Sequence, residues 1–223
     1  LSATPAQREW DSADIEVTLT ATDSVQVSKI RYSWSTSKDV PTDSFQDSAS
    51  ATTKAVQKSE GVWYLFAQAV DTSGNASDML IRGPYKLDKT KPKLDNTVLE
   101  GSVYTSGNTQ WMRLGTVADV KVRALEELSG LVNTWIGIGK TNKGGASHDW
   151  EGEHGNYTAE PITTYIEVKR VEEITKDIEN GVYEAGFTVE GKSEFIEPLT
   201  YNFKDSANNS TGPTETGVIM AAD

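Results

Sequence analysis

Cysteine is absent from this 223-residue chain. Its absence removes disulfides, thiolate zinc sites, iron–sulfur clusters and cysteine nucleophiles together. Histidine is almost absent: only His148 and His154 occur. A serine–histidine–aspartate triad would have to recruit one of them, and no Gly-x-Ser-x-Gly elbow is there to supply the serine. Phosphate-loop and dinucleotide fingerprints are missing as well. Positive charge is scarce, with 21 Lys and Arg against 33 Asp and Glu, for a net charge of −12 and a pI near 4.7. Affinity for nucleic acid is dominated by cations that neutralise phosphates, so nucleic acid is excluded as a partner. No apolar run approaches the ~18–20 residues of a membrane helix, so no membrane span is expected. The chain starts at Leu1 without Met or a signal peptide, which reads as a processed chain or an excised fragment.

What is present is strand chemistry. Serine and threonine contribute 45 residues, which suits exposed strand faces and turns. Ile15, Val17, Leu19 and Ala21 alternate with Glu16, Thr18, Thr20 and Thr22, a period of two that sends one face to a core and one to water. Ile30, Tyr32 and Trp34 repeat the pattern, as do Trp63, Leu65, Ala67 and Ala69. The expected core of the first half is therefore Val17, Leu19, Ile30, Trp34, Trp63, Leu65 and Ala67. Short strands with turn residues between them read as an antiparallel sandwich.

The chain then repeats itself loosely. Asp14-Ile15-Glu16-Val17 aligns with Asp119-Val120-Lys121-Val122, and Ser24 falls on Ser129 without a gap. Asp71-Thr72-Ser73-Gly74-Asn75 aligns with Asp205-Ser206-Ala207-Asn208-Asn209. The first match spans 105 positions and the second 134, so the second copy carries about 29 more residues. A rival alignment sets Gly181-Val182-Tyr183 on Gly61-Val62-Trp63; the later match is preferred because it includes the Asp-x-x-x-Asn turn. Within the surplus, Val171, Ile174 and Ile178 stand at helical spacing between two strand-like runs, a short helix or a long hairpin. Lys86 to Lys93, containing Pro92, forms a short stiff connection that places the boundary near residue 90.

These motifs carry a resemblance. Ala3-Thr4-Pro5, the strand from Asp14, Tyr32-Ser33-Trp34-Ser35, Gly61-Val62-Trp63-Tyr64-Leu65, Val70-Asp71-Thr72-Ser73-Gly74-Asn75 and Gly83-Pro84-Tyr85 through Pro92 follow in order. Residues 1–92 thereby resemble the bacterial immunoglobulin-like repeats of secreted and cell-surface proteins, of surface-layer or adhesin type. The second half is similar in outline only. The resemblance implies an all-β chain of two tandem immunoglobulin-like or fibronectin-III-like β-sandwich domains. These are 1–90 and 91–223, the second elaborated by extra strands or a short helix around 150–190.

Candidate sites are few. His148, Trp150 and His154 lie in one seven-residue stretch with Asp149, Glu151 and Glu153. They could bind a metal or stack on a sugar, but neighbouring Gly144, Gly145, Gly152 and Gly155 make a solvated loop the better explanation, and no zinc spacing is matched. Asp23, Asp71, Asn75 and Asp78 are the calcium candidates, since calcium takes 6–8 oxygens from irregular loops. Turn stabilisation explains the same residues without an ion. No catalytic residue is assigned, and calcium is the single cofactor left open.

The sequence thus reads as a non-catalytic structural or interaction module of the bacterial cell surface, serving as spacer, lattice contact or binding surface. Its expected partners are a cell-envelope polymer, neighbouring surface-protein domains or a glycan. The alternative is a carbohydrate-binding or accessory module of a secreted polysaccharide-acting enzyme, which a line of solvent-facing Trp or Tyr across one sheet would favour. From charge alone, the chain should leave duplex DNA unshifted in a gel at physiological salt, because like charges repel. A tight shifted band would overturn the electrostatic argument.

Overall fold

The computed structural model describes residues 1–101, 103–138, 169–170, 175–177, 182–190, 195–212 and 214–223, and every element among them is a β-strand. The chain divides into two compact units, Leu1–Thr90 and Lys91–Asp223.

In the first unit, β1 (Ser2–Thr4), β3 (Ile15–Thr20) and β6 (Thr52–Gln57) form one sheet with β3 in the middle. The facing sheet runs β2 (Arg8–Asp11), β8 (Leu80–Leu87), β7 (Gly61–Asp71), β4 (Val27–Ser35) and β5 (Gln46–Ser48). All pairs are antiparallel except β2 with β8. The alternation on β3 does what its period requires: Ile15, Val17 and Leu19 are fully buried while Glu16 and Thr20 face water. They meet Ile30 of β4, Leu65 and Ala67 of β7, and Tyr85 and Leu87 of β8 in one core. Burying each large side chain is worth about 1.5–3 kcal/mol. Tyr85 sits edge-on to Trp34, with ring centroids 5.4 Å apart. Its hydroxyl donates to the Pro5 carbonyl at 2.7 Å, and burial pushes the phenol up to about 12.

Two of the seven expected core residues occupy the rim instead. Trp34 and Trp63 are only partly buried and pack against the core from its edge. The reason at Trp63 is its indole N–H, which donates to the Ser59 carbonyl at 2.8 Å; an interior site would have to supply that acceptor. Here the β7–β8 register slips between Trp63 and Leu65. Gly83 sits opposite at φ +123°, and a Cβ there would stand 2.8 Å from the Trp63 carbonyl oxygen. The slip is a bulge that only glycine accommodates.

The second unit repeats this order and adds one edge strand to each sheet. β12 (Val117–Leu125) lies between β9 (Lys93–Gly101) and β16 (Val182–Glu190), with β15 (Thr175–Asp177) added outside β16. The other sheet runs β10 (Val103–Ser106), β11 (Thr109–Met112), β18 (Thr214–Ala222), β17 (Phe195–Asp205), β13 (Leu131–Ile138) and β14 (Lys169–Arg170). The one parallel pair, β11 with β18, falls where β2 pairs with β8. Val120, Val122, Ala124, Leu199, Phe203 and Met220 fill the shared core. β16 pairs with β12 as β6 pairs with β3. Val182-Tyr183 therefore has no structural kinship with Val62-Trp63, and the rival alignment fails on topology. Between the two strand-like runs of the surplus, Thr175–Asp177 is a strand paired antiparallel to β16, the hairpin alternative. Val171, Ile174 and Ile178 lie outside the described residues.

Leu65→Ala should cost about 2–5 kcal/mol in a chemical denaturation experiment, as truncation of a fully buried aliphatic does. Trp63→Ala should cost less, because part of its ring already faces water. An equal or greater loss at Trp63 would return that residue to the core.

Candidate functional site

The turn after the central strand is built twice from the same bonds. In the first unit the Asp71 carboxylate accepts from the amides of Ser73 and Asn75, each at 2.8 Å, and from Asn75 Nδ2 at 2.7 Å. In the second, Asp205 accepts from the amides of Ala207 at 2.9 Å and Asn209 at 2.8 Å, and from Asn209 Nδ2 at 2.9 Å. The surrounding bonds also agree. Asp71 N donates to Asn75 O as Asp205 N does to Asn209 O, and Thr72 N reaches Gln26 O as Ser206 N reaches Gly130 O. Gly74 (φ +89°) and Asn208 (φ +68°) hold the same left-handed position, which glycine tolerates best and asparagine next. Gln26 and Gly130 are 104 positions apart rather than 105, so the ungapped run through Ser24 and Ser129 loses one residue just beyond them.

The turns differ in environment. Asp71 lies near the surface, and its three donors, the Asn75 side chain first, hold its carboxyl below the usual 3.8. Its contribution to stability is therefore complete above that value and fades as pH falls through the lowered one. Asp205 is fully buried, and its carboxylate comes within 4.8 Å of that of Glu126, which is 4% exposed. Two buried carboxylates at that range raise each other's energy unless donors or a cation face them. Donors are there: Glu126 Oε1 accepts from the amides of Leu128 at 2.9 Å and Ser129 at 3.1 Å. The sequence reading missed Glu126, which ends an alternating run where a neighbour 79 positions away cannot be inferred.

Of the four calcium candidates, Asp71 and Asn75 are brought together, as partners in one turn. Asp23 instead accepts from Val25 N at 2.7 Å, Asp78 is exposed, and the carboxylates of Asp23, Asp71 and Asp78 do not gather within 4.8 Å of one another. His148, Trp150 and His154 lie outside the described residues.

A second feature went unseen in the sequence. β10 and β11 form a hairpin through Gly107-Asn108 at the edge of the six-stranded sheet. Tyr104 and Trp111 are cross-strand partners on it, with rings 6.2 Å apart and inclined by only 16°. Met112, the next residue, is fully buried in the core, so the aromatic pair lies on the outer face. Tyr104 is 57% exposed.

No protein-family model matches the chain, and no curated protein does. Among solved structures it is similar to the fibronectin(III)-like modules of CbhA from Clostridium thermocellum. They share 14% identity over 99% of this chain and 92% of that one, with a TM-score of 0.34. It is also similar to the D00-D0 domain of intimin, with 12% identity over 100% of this chain and 96% of that one and a TM-score of 0.29. A putative membrane-anchored protein from Corynebacterium diphtheriae shares 12% identity over 99% of this chain and 57% of that one, with a TM-score of 0.30.

Asp205→Ala should destabilise the chain by about 1–3 kcal/mol for each buried donor left without an acceptor. Asp71→Ala should cost clearly less, because water reaches the amides it abandons. Denaturation midpoints of the two variants check this, and equal losses would refute the difference in environment.

Proposed function

We propose that the chain is a non-catalytic module of a bacterial cell-surface protein, acting as spacer, lattice contact or binding surface outside the cell. The observation that carries this reading is the duplication. Two sandwiches share one strand order and one bonded turn while their loops and edges differ. An architecture of that kind separates a constant frame from variable rims, where binding residues are usually placed. The acidic, cysteine-free composition suits the same role, since net charge keeps surface modules apart and soluble. Among the described residues no helix is long and apolar enough to cross a membrane. The resemblance of residues 1–92 to surface repeats supports the bacterial setting. The second reading, a carbohydrate-binding or accessory module of a polysaccharide-acting enzyme, is favoured by the Tyr104–Trp111 pair.

Protease treatment of intact expressing cells should remove the chain, as followed by an antibody against it. Survival until the cells are lysed would place it inside and end the proposal. Release of soluble sugar or peptide from purified wall polymers by the chain would contradict the non-catalytic part.

A further inference from the structure

The outer face of the β10–β11 hairpin combines two kinds of group. Tyr104 pairs with Trp111, Trp111 with Ala221 of β18, and Ala221 with Ile196 of β17. This makes one lateral row across four strands. Ala221 is covered, while Tyr104 and Ile196 are 57% and 63% exposed. One step along the strands, about 7 Å away, Ser106 and Thr109 are paired on the same face, and Thr109 is level with Ile219. Aromatic rings therefore stand beside a pair of hydroxyls, and none of these seven residues is charged in a chain where 24% of residues are.

We propose that this hairpin face is a glycan-binding site for a neutral chain of β-linked pyranoses, with Tyr104 and Trp111 as the stacking platform and Ser106 and Thr109 as hydroxyl partners. The face of an aromatic ring is electron-rich. It attracts the weakly positive C–H groups that a pyranose with equatorial substituents presents on its flat side. Stacking against Trp111 restrains the Tyr104 ring before any ligand arrives, which lowers the entropic cost of binding. β10 is the end strand of its sheet among the described residues, so a long polymer can run past the platform. Charge selects the class of polymer: the net charge of −12 repels polyuronates and other anionic polymers, while the seven uncharged residues named cost a neutral sugar no ionic desolvation. The site rests on the surface-module reading and is tested separately from it. Protease shaving reports where the chain lies, and glycan binding reports what the hairpin does.

Affinity electrophoresis of the full chain through hydroxyethylcellulose, with polygalacturonate as the anionic comparison, tests the site. Retardation is expected in the neutral polymer only. Tyr104→Ala should weaken it by about ten-fold or more, whereas Tyr104→Phe, which keeps the ring, should retain it. Tyr104 is exposed enough that its removal should leave the melting temperature near the parental value, and a thermal melt of each variant verifies that. Absence of retardation in hydroxyethylcellulose and in soluble chitin oligomers would overturn the proposal. So would retention unchanged in Tyr104→Ala, or stronger retardation by polygalacturonate. Concentration-dependent self-association abolished by Tyr104→Ala, without sugar binding, would reassign the face to protein contact.

Discussion

Each unit is organised around one carboxylate at the end of its central strand. Asp71 and Asp205 gather two amides and an asparagine side chain onto two oxygens. In doing so they set where the chain leaves β7 or β17 and where it enters the next strand. A strand's side chains alternate with a period of two, so a one-residue slip in that entry would turn the following strand over. Tyr85 and Leu87 of β8, and Met220 and Ala222 of β18, would then face water while their neighbours faced the core. A five-residue turn thus decides the packing of a strand whose fully buried core positions lie ten or more residues beyond it. That dependence explains why the bonds agree so closely between units whose core residues do not.

The duplication is of backbone, and the side chains have been replaced around it. Both cores mix aliphatic side chains with buried alanines, but the buried ring of the first core is Tyr85 of β8, whereas in the second Tyr201 and Phe203 of β17 supply them, with ring centroids 4.4 Å apart. Large residues have moved from one strand to another at roughly conserved need for volume, which sandwich cores tolerate while the pattern of faces holds. Even irregularities persist: β4 against β7 slips at Val27/Lys29, and β13 against β17 at Leu131/Asn133. A bulge beside the turn in both units bends the strand toward the same corner.

The strands with long alternation were legible in the sequence because six or more residues suffice to distinguish two faces; β3, β4 and β7 belong to that class. The paired turns were legible because Asp and Asn at fixed spacing have a bonding reason to be there. Trp63 was misplaced because alternation reports which face a residue joins and not how far it lies from the rim, and the bulge opposite Gly83 is a tertiary event. Glu126 and Asp205 are 79 positions apart, a proximity that no local pattern contains. The β10–β11 hairpin was missed for a different reason: two four-residue strands are too short to show a period. A signal existed in the symmetry of Tyr104 and Trp111 about Gly107-Asn108, a glycine–asparagine turn between residues of high strand propensity.

That hairpin also shows where such a frame can acquire a function at least structural cost. Among the described residues β10 has no counterpart in the first unit, and its only sheet partner is β11. Adding a strand at an edge leaves every existing register untouched, so neither the turn nor the core needs to change with it. An unprotected edge invites pairing with other chains, and an exposed aromatic row adds to that hazard. Retaining Tyr104 and Ile196 in water therefore requires an advantage that the fold itself does not supply. A ligand whose apolar faces fit the rings supplies one, and it places recognition on the element that the sandwich can vary most freely.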